Sequence, residues 1–250
     1  MKTYGLIGYR LGHSFSRGFF TRKFADEELS DHEYVNFELD DIHQFPDLFR
    51  QNDHIFGLNC TIPYKQQVMA FLDGIDEEAA QAGAVNTIKV IRENGTRRRL
   101  IGYNTDIYGF EWSFRPLLKP KHRQALILGT GGASKAVRFV LEKIGMPYLS
   151  ATTKEKRGDG EVSYADLDAR LIGQHPVIIQ TTPLGMYPHT DACPDIPYRH
   201  LTSDHLLYDL IYNPEETLFM KKGKEQGATV KGGLEMLHLQ AIRSWKIWNE

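Results

Sequence analysis

Residues 126–145, LILGTGGASKAVRFVLEKIG, constrain the fold more than any other stretch of this chain. An apolar run reads as a strand, Gly129, Gly131 and Gly132 follow it directly, and from Ser134 the spacing reads as a helix. Strand, glycine turn and helix in that order allow either a bare flexible turn or a seat for a phosphate. In the second reading the first glycine permits the tight turn and the next removes a side chain where a pyrophosphate approaches. The free N–H groups of the helix start then face its charge. Ser134 occupies the third position of the dinucleotide pattern, where glycine or alanine is usual. The stretch lacks the GKS or GKT ending of a triphosphate loop, which argues against an ATPase.

The rest of the second half repeats the pattern. QALILG, PYLSA, PVIIQT and HLLYDLIY read as strands, and SKAVRFVLEKIG, SYADLDARLI and TLFMKKGKEQG as helices. Apolar strands between helices predict an α/β arrangement with a parallel sheet covered on both faces. At the end of the second strand of this region stands SATTKEKRG. Thr152 and Thr153 offer hydroxyls and Lys154, Lys156 and Arg157 offer positive charge, a set that suits a ribose 2′-phosphate. Glu155, the one acid nearby, is poorly offset for a ribose hydroxyl, so the stretch favours NADP over NAD.

The first half is organised differently. TYGLIG, EYVNFEL and IFGLNCTI read as strands, with a helix from near Ser16 that carries Phe19, Phe20 and Phe24. KQQVMAFLDGI has helical periodicity behind Pro63, and GAVNTIKVI and RRLIGYN read as strands joined by the turn ENGT. A helix in NTDIYGFEWSFRPLL ends near Pro116 or Pro120, placing a domain boundary between about 101 and 120. The final segment, GGLEMLHLQAIRSWKIWNE, is helical. Its Leu234, Leu237, Ile242, Trp245 and Trp248 have the means to pack back on the first half.

Composition excludes several classes. The 250 residues carry 30 basic and 32 acidic side chains, a formal charge of −2 that makes no electrostatic case for nucleic acid. Apolar residues at 41% mark a globular chain, yet no run approaches the length of a membrane span and the N-terminus does not read as a signal peptide. Cys60 and Cys193 form no CxxC pair, and reduced thiols in the cytoplasm are expected. The ten histidines make no HExxH, and neither acids nor cysteines have metal-ligand spacing, so no metal is expected. There is no GxSxG elbow either.

Several polar groups remain. Ser14 and Ser16 lie two apart beside Gly12 and His13, as caps or as paired hydroxyls. Asn59, Thr61 and Lys65 stand in NCTIPYK, Asn86 in GAVNTI and Asp106 in GYNTDIYGF. Lys65 is a solvated lysine or a proton donor; Asp106 is an ordinary first-turn acid or the carboxylate that holds it. A lysine, an aspartate, amides and hydroxyls suit recognition of a polyol or carboxylate with proton transfer, and the hydride must come from a cofactor.

GYRLGHSFS, GLNCTIPYK, GAVNTI, GYNTDIYGF, LGTGGAS, TTPLGMYP, DLIYNPEET and GGLEMLHLQA together resemble the shikimate/quinate dehydrogenase family, in the family's order and along nearly the whole chain. The resemblance implies two α/β domains. A substrate-binding and catalytic domain takes about 1–101 and 232–250, and a Rossmann-like NADP-binding domain takes about 102–231. It implies reversible reduction of 3-dehydroshikimate to shikimate. Lys65 and Asp106 correspond to the catalytic pair, and Ser14 and Ser16 to the serines that hold the substrate carboxylate. Thr61, Asn86 and Gln240 correspond to ligands of the ring hydroxyls, with Asn59 supporting the substrate loop. Gly129, Gly131, Gly132 and Ala133 match the cofactor loop. Thr182 and Met186 border the nicotinamide end, Tyr212 approaches substrate and nicotinamide, and Gly233 opens the last helix. The resemblance implies a monomer or homodimer acting on a small molecule.

The chain departs from the family at several positions. Arg10 and Arg17 stand where prolines are usual, Gln180 and Gly232 where asparagines are usual, and Ala151-Thr152-Thr153 replaces an NRT stretch and lacks its arginine. A broader quinate/shikimate dehydrogenase using NAD, or a nucleotide-binding interaction protein on the same fold, are the competing readings.

Overall fold

The computed structural model describes residues 1–12, 15–93 and 97–250. Ser14, His13 and the ENGT turn, apart from the backbone of its Glu93, lie outside the described residues. The chain divides into two compact units, one of residues 1–106 with 240–250, the other of residues 107–239.

The first unit comprises β1 (Lys2–Gly8), α1 (Phe15–Asp26), β2 (His32–Glu38), α2 (Phe45–Gln51), β3 (Ile55–Cys60), β4 (Gly74–Ile75), α3 (Glu77–Ala82), β5 (Thr87–Glu93) and β6 (Arg97–Tyr103). Its sheet runs in the order β2-β1-β3-β5-β6-β4. β1 is parallel to both β2 and β3, whereas β5 runs antiparallel to β3 and β6. Strand alternation separates two cores. Ile7, Leu58 and Ile88 pack with Phe45, Phe49 and Val68 on one face. Tyr4 and Leu6 meet Phe20, Phe24, Tyr34, Ala241 and Trp248 on the other. Trp248 lies where only a glycine fits beneath it: a Cβ on Gly57 would come within 2.4 Å of the indole ring. The indole N–H donates to Ile88 O at 3.1 Å, so the large ring is buried with its polar atom satisfied.

α4 (Thr105–Phe114) starts in the first unit and continues into the second, followed by β7 (Ala125–Leu128), α5 (Gly132–Lys143), β8 (Tyr148–Thr152), β9 (Glu161–Ser163), α6 (Ala169–Gln174), β10 (Val177–Gln180), β11 (Leu206–Asp209), α7 (Leu218–Glu225), β12 (Thr229–Lys231) and α8 (Leu234–Asn249). The sheet order is β12-β11-β10-β7-β8-β9 and every pairing is parallel. β7 and β10 are buried along their whole length, as expected of central strands covered on both faces. The chain leaves β7 toward β8 on one side and returns to β10 on the other. The carboxyl ends of β7 and β10 therefore flank the switch point, where open α/β sheets bind ligands.

Three local expectations need correction. KQQVMAFLDGI forms a turn, one short 3-10 segment, Gln67–Phe71, and the two residues of β4 in place of a helix. Lys65 O accepts the N–H of Val85 at 2.7 Å, which ties the start of this segment to the strand region in place of a helix. SYADLDARLI breaks in two because it contains two caps: Ser163 opens a single 3-10 turn and Asp168 opens α6, accepting Leu171 N–H. α5 begins at Gly132, with Gly131 as its cap, so Ser134 lies inside the first turn. The N-terminal strands, α1, α4, β7, β8, β10, β11, α7 and α8 form where the pattern placed them. Both cysteines are free. Among the described residues no helix is long and apolar enough to cross a membrane.

Candidate active site

Lys65 lies in the turn after β3 and Asp106 in the first turn of α4. The lysine Nζ donates to Asp106 Oδ2 at 2.6 Å, and both side chains are largely buried. A carboxylate suits this place because the helix N-terminus favours negative charge. One N–H of the ammonium is directed by Asp106, and the ammonium carries two more. Cys60 ends the same strand, but burial pushes its thiol up to about 12, leaving an inert side chain beside the pair.

Behind the pair is a buried network of hydroxyls and amides that joins every element of this site. Asn86 Oδ1 accepts the Thr105 backbone N–H at 2.7 Å and lies 3.2 Å from both Thr105 Oγ1 and Thr87 Oγ1. Its oxygen is thereby committed, and the Nδ2 group has no partner among the described residues. Asn86 thus presents donors, which suits a ligand oxygen. Thr105 Oγ1 lies 3.5 Å from Gln240 Oε1. Ser244, one turn after Gln240 on α8, has its Oγ 2.8 Å from Thr87 Oγ1 and 3.1 Å from Thr105 Oγ1.

Asn59 faces this network. Its carbonyl oxygen accepts from Tyr34 at 2.8 Å, and its Nδ2 donates to Ser244 Oγ at 3.0 Å, with Thr87 Oγ1 and Asn86 O slightly farther away. A side chain so engaged braces the site from within. Burial raises the Tyr34 phenol well above its usual range, and Ser16, at the start of α1, shares a hydrogen bond with it. Thr61 follows β3 and is partly exposed, its backbone N–H donating to Ile7 O at 2.9 Å. The structure therefore gathers Ser16, Asn59, Thr61, Lys65, Asn86, Asp106 and Gln240 within one unit. It adds Tyr34, Thr87, Thr105 and Ser244, which composition and spacing did not single out. The one available signal was the recurrence of Asn-Thr at 86–87 and 104–105. The second asparagine of that pair is structural, Asn104 Nδ2 donating to Ala84 O.

In the second unit, Gly129 has φ of +105° and a Cβ there would stand 2.7 Å from Thr182 Cγ2. Thr182 follows β10, so the two meet at the switch point. A Cβ on Gly131 or Gly132 would meet nothing within 4 Å. These glycines and Ala133 border open space at the N-terminus of α5, the cradle a pyrophosphate requires. Ser134 turns its hydroxyl back onto Gly131 O at 2.7 Å, which accommodates a serine where glycine or alanine is usual. Gln180, fully buried, accepts from Thr182 N and Oγ1 and donates to Leu184 O, spanning the turn that leads to exposed Met186.

At the far end of β8 the side chains divide. Thr152 is buried, its hydroxyl 3.3 Å from Thr130 Oγ1 and accepting Lys154 N–H. Thr153, Lys154, Lys156 and Arg157 are exposed, so the open hydroxyl and charges belong to them. Tyr212 lines a cleft of about 680 Å³ with Glu215, Gly233 and His238. Burial raises its phenol above the usual range. Gly233 is required: a Cβ there would come within 2.1 Å of Leu210 O. Among the described residues no group of acids, histidines and cysteines could hold a metal ion.

An all-parallel sheet with a glycine cradle at its switch point, alongside a unit holding a lysine–carboxylate pair, defines a two-unit α/β protein of the Rossmann-like dinucleotide-binding class. A family model for the shikimate dehydrogenase substrate-binding domain matches residues 6–88. The chain is 37% identical to the NADP(+) shikimate dehydrogenase of Clostridium beijerinckii, covering 100% of this chain and 93% of the relative. The crystal structure of the Aquifex aeolicus shikimate dehydrogenase superposes with a TM-score of 0.86 at 32% identity, over 100% of this chain and 92% of that one. A Thermus thermophilus shikimate 5-dehydrogenase in complex with NADP(H) and shikimate gives 0.84 at 26% identity, covering 99% and 93%. The chain belongs to the shikimate dehydrogenase family.

Proposed function

We propose that this protein catalyses the reversible, NADP-dependent reduction of 3-dehydroshikimate to shikimate. The observation that carries the reading is the 2.6 Å Lys65–Asp106 pair, beside an Asn86 amide that directs its donors outward. Bound NADPH supplies the hydride that adds to the ring carbonyl carbon. Lys65 stabilises the negative charge that develops on the carbonyl oxygen and delivers a proton to it, directly or through water. Asp106 aims the ammonium and accepts from a ring hydroxyl, so its carboxylate is both electrostatic partner and positioning group. Asn86, Thr61 and Gln240 bind ring hydroxyls, and Ser14 and Ser16 the substrate carboxylate.

Gly129, Gly131, Gly132 and Ala133 hold the pyrophosphate at the start of α5. Thr153 and Lys154, with Lys156 and Arg157, read the 2′-phosphate, while Thr152 braces the loop behind them. Thr182, Met186, Tyr212 and Gly233 border the nicotinamide end. The protein is proposed to work in the cytoplasm as a monomer or homodimer, with no nucleic acid or membrane partner.

The test is a spectrophotometric assay of shikimate and quinate oxidation with NADP+ and NAD+ at equal concentrations. Shikimate with NADP+ is expected to give the highest kcat/KM. Preference for quinate or NAD+ would move the assignment to the broader dehydrogenase. No hydride transfer despite cofactor binding would leave a nucleotide-binding protein.

A further inference from the structure

We propose that Ser244 is a positioning residue of the catalytic unit, holding together the four chain segments that carry Lys65, Asn86, Asp106 and Gln240. This role rests on the proposed shikimate oxidation.

The argument is one of hydrogen-bond supply. Ser244 is fully buried on α8 and has one hydroxyl proton and two lone pairs. Its proton goes to Gln240 O at 2.9 Å, the carbonyl one turn earlier on its own helix. One lone pair accepts Asn59 Nδ2 at 3.0 Å, and Asn59 lies in β3, whose end leads into Thr61 and Lys65. The other accepts the Thr87 hydroxyl at 2.8 Å, the shortest contact Thr87 Oγ1 makes, and Thr87 directly follows Asn86. With the Thr87 proton spent on Ser244, Thr87 Oγ1 accepts the Thr105 O–H at 3.1 Å, with Asn86 Oδ1 at 3.2 Å, while the Thr105 N–H goes to Asn86 Oδ1 at 2.7 Å. Thr105 directly precedes Asp106. The Thr105 N–H holds the Asn86 oxygen inward, and Ser244, directly and through Thr87, holds Thr105 in place, so the Asn86 amide hydrogens are left for a ligand. Ser244 and Thr87 share this junction: each hydroxyl links β3, β5, α4 and α8, and the residues Ser244 joins are up to 185 positions apart in sequence.

Replacing Ser244 with alanine removes the nearest acceptor of both Asn59 and Thr87. The Thr87 proton then turns to Asn86 Oδ1 or Thr105 Oγ1, and the segments that carry Lys65, Asn86, Asp106 and Gln240 lose the buried hydroxyl that ties them together. Substrate recognition suffers before cofactor recognition, because the glycine cradle takes no part in this network.

The experiment compares Ser244→Ala and Thr87→Val, which removes a hydroxyl at similar volume, with Ser113→Ala as a control. Ser113 is another buried helix serine, its hydroxyl 2.6 Å from Tyr208 Oη and bonded to Gly109 O. kcat, the KM values for shikimate and NADP+, and Tm are measured for each. Ser244→Ala and Thr87→Val should raise the shikimate KM roughly tenfold and lower kcat, with the NADP+ KM within twofold of the parent. Ser113→Ala should lower Tm while leaving the shikimate KM near the parent value. Shikimate KM and kcat within twofold of the parent in either folded hub variant would overturn the role, as would an equal rise in the NADP+ KM. Should Ser244→Ala fail to fold, Thr87→Val decides. A parent enzyme that does not oxidise shikimate would overturn the functional reading itself and this role with it, an outcome distinct from an active parent with indifferent variants.

Discussion

Asp209 ends β11 with no accessible surface and, among the described residues, no cation on its carboxylate. Thr217 Oγ1 donates to its Oδ2 at 2.6 Å and Ile211 N–H to its Oδ1 at 3.0 Å, closing the loop that carries Tyr212. Burial outweighs these two hydrogen bonds and raises the carboxyl from its ordinary 3.8 to about 6. The folded protein therefore holds this proton more tightly than the unfolded chain does. Its stability contribution is fully present below pH 3.8 and is lost as pH rises through 6. Moving a carboxyl that far is worth about 3 kcal/mol at neutral pH, at about 1.4 kcal/mol for each tenfold change in proton affinity.

Asp209→Asn keeps the shape and removes the titration. Urea unfolding of parent and variant at intervals from pH 4 to pH 7.5 isolates this group, because the other titrating groups are common to both. The stability of the parent relative to the variant should fall by about 2.4 kcal/mol across that range, most steeply between pH 4 and 6. A difference that stays flat, or that grows in the parent's favour as pH rises, would refute burial as the dominant influence on this carboxylate.

Lys65→Ala should lower kcat by about 10²- to 10⁴-fold, the range expected for loss of a general acid, with shikimate still bound; steady-state kinetics with a shikimate-binding titration check it. Gly129→Ala places a Cβ 2.7 Å from Thr182 Cγ2 at a positive φ, so it should cost on the order of 1–3 kcal/mol in stability and raise the NADP+ KM, read by denaturation and kinetics. Trp248→Ala empties the seat over Gly57 and should destabilise the first unit by about 3–5 kcal/mol, measured by chemical denaturation.

Where one local pattern decided the outcome, the sequence was a good guide. ALIL is buried throughout and forms a central strand, and the glycines after it open a helix. The aromatic spacing of residues 19–24 gives α1 its buried Phe20 and Phe24. Prediction failed where a distant partner intervened. The helical periodicity after Pro63 lost to a hydrogen bond between Lys65 O and Val85 N–H, which pulls that segment against the strand region. Lys65 and Asp106 were identifiable as residue types, but their contact depends on bringing a turn after β3 to the first turn of α4. Asn59 and Thr152 were legible as polar groups near a site, yet both are turned inward as braces. That distinction depends on which face of a strand end is covered.

The sequence alone determined the strand–glycine–helix unit, the apolar runs that must be central strands, and the inventory of groups able to move a proton. These are local properties, set by side-chain periodicity and by where a backbone tolerates no Cβ. Only the tertiary structure decided which polar groups are spent on one another and which remain for a ligand. Tyr34, Asn59, Thr87, Thr105 and Ser244 come from four strands or helices and the end of a fifth, and each is unremarkable in its own segment. A buried hydroxyl must find its partners wherever strand order and helix packing bring them, so the part Ser244 plays behind Asn86 was not legible until the last helix was in place.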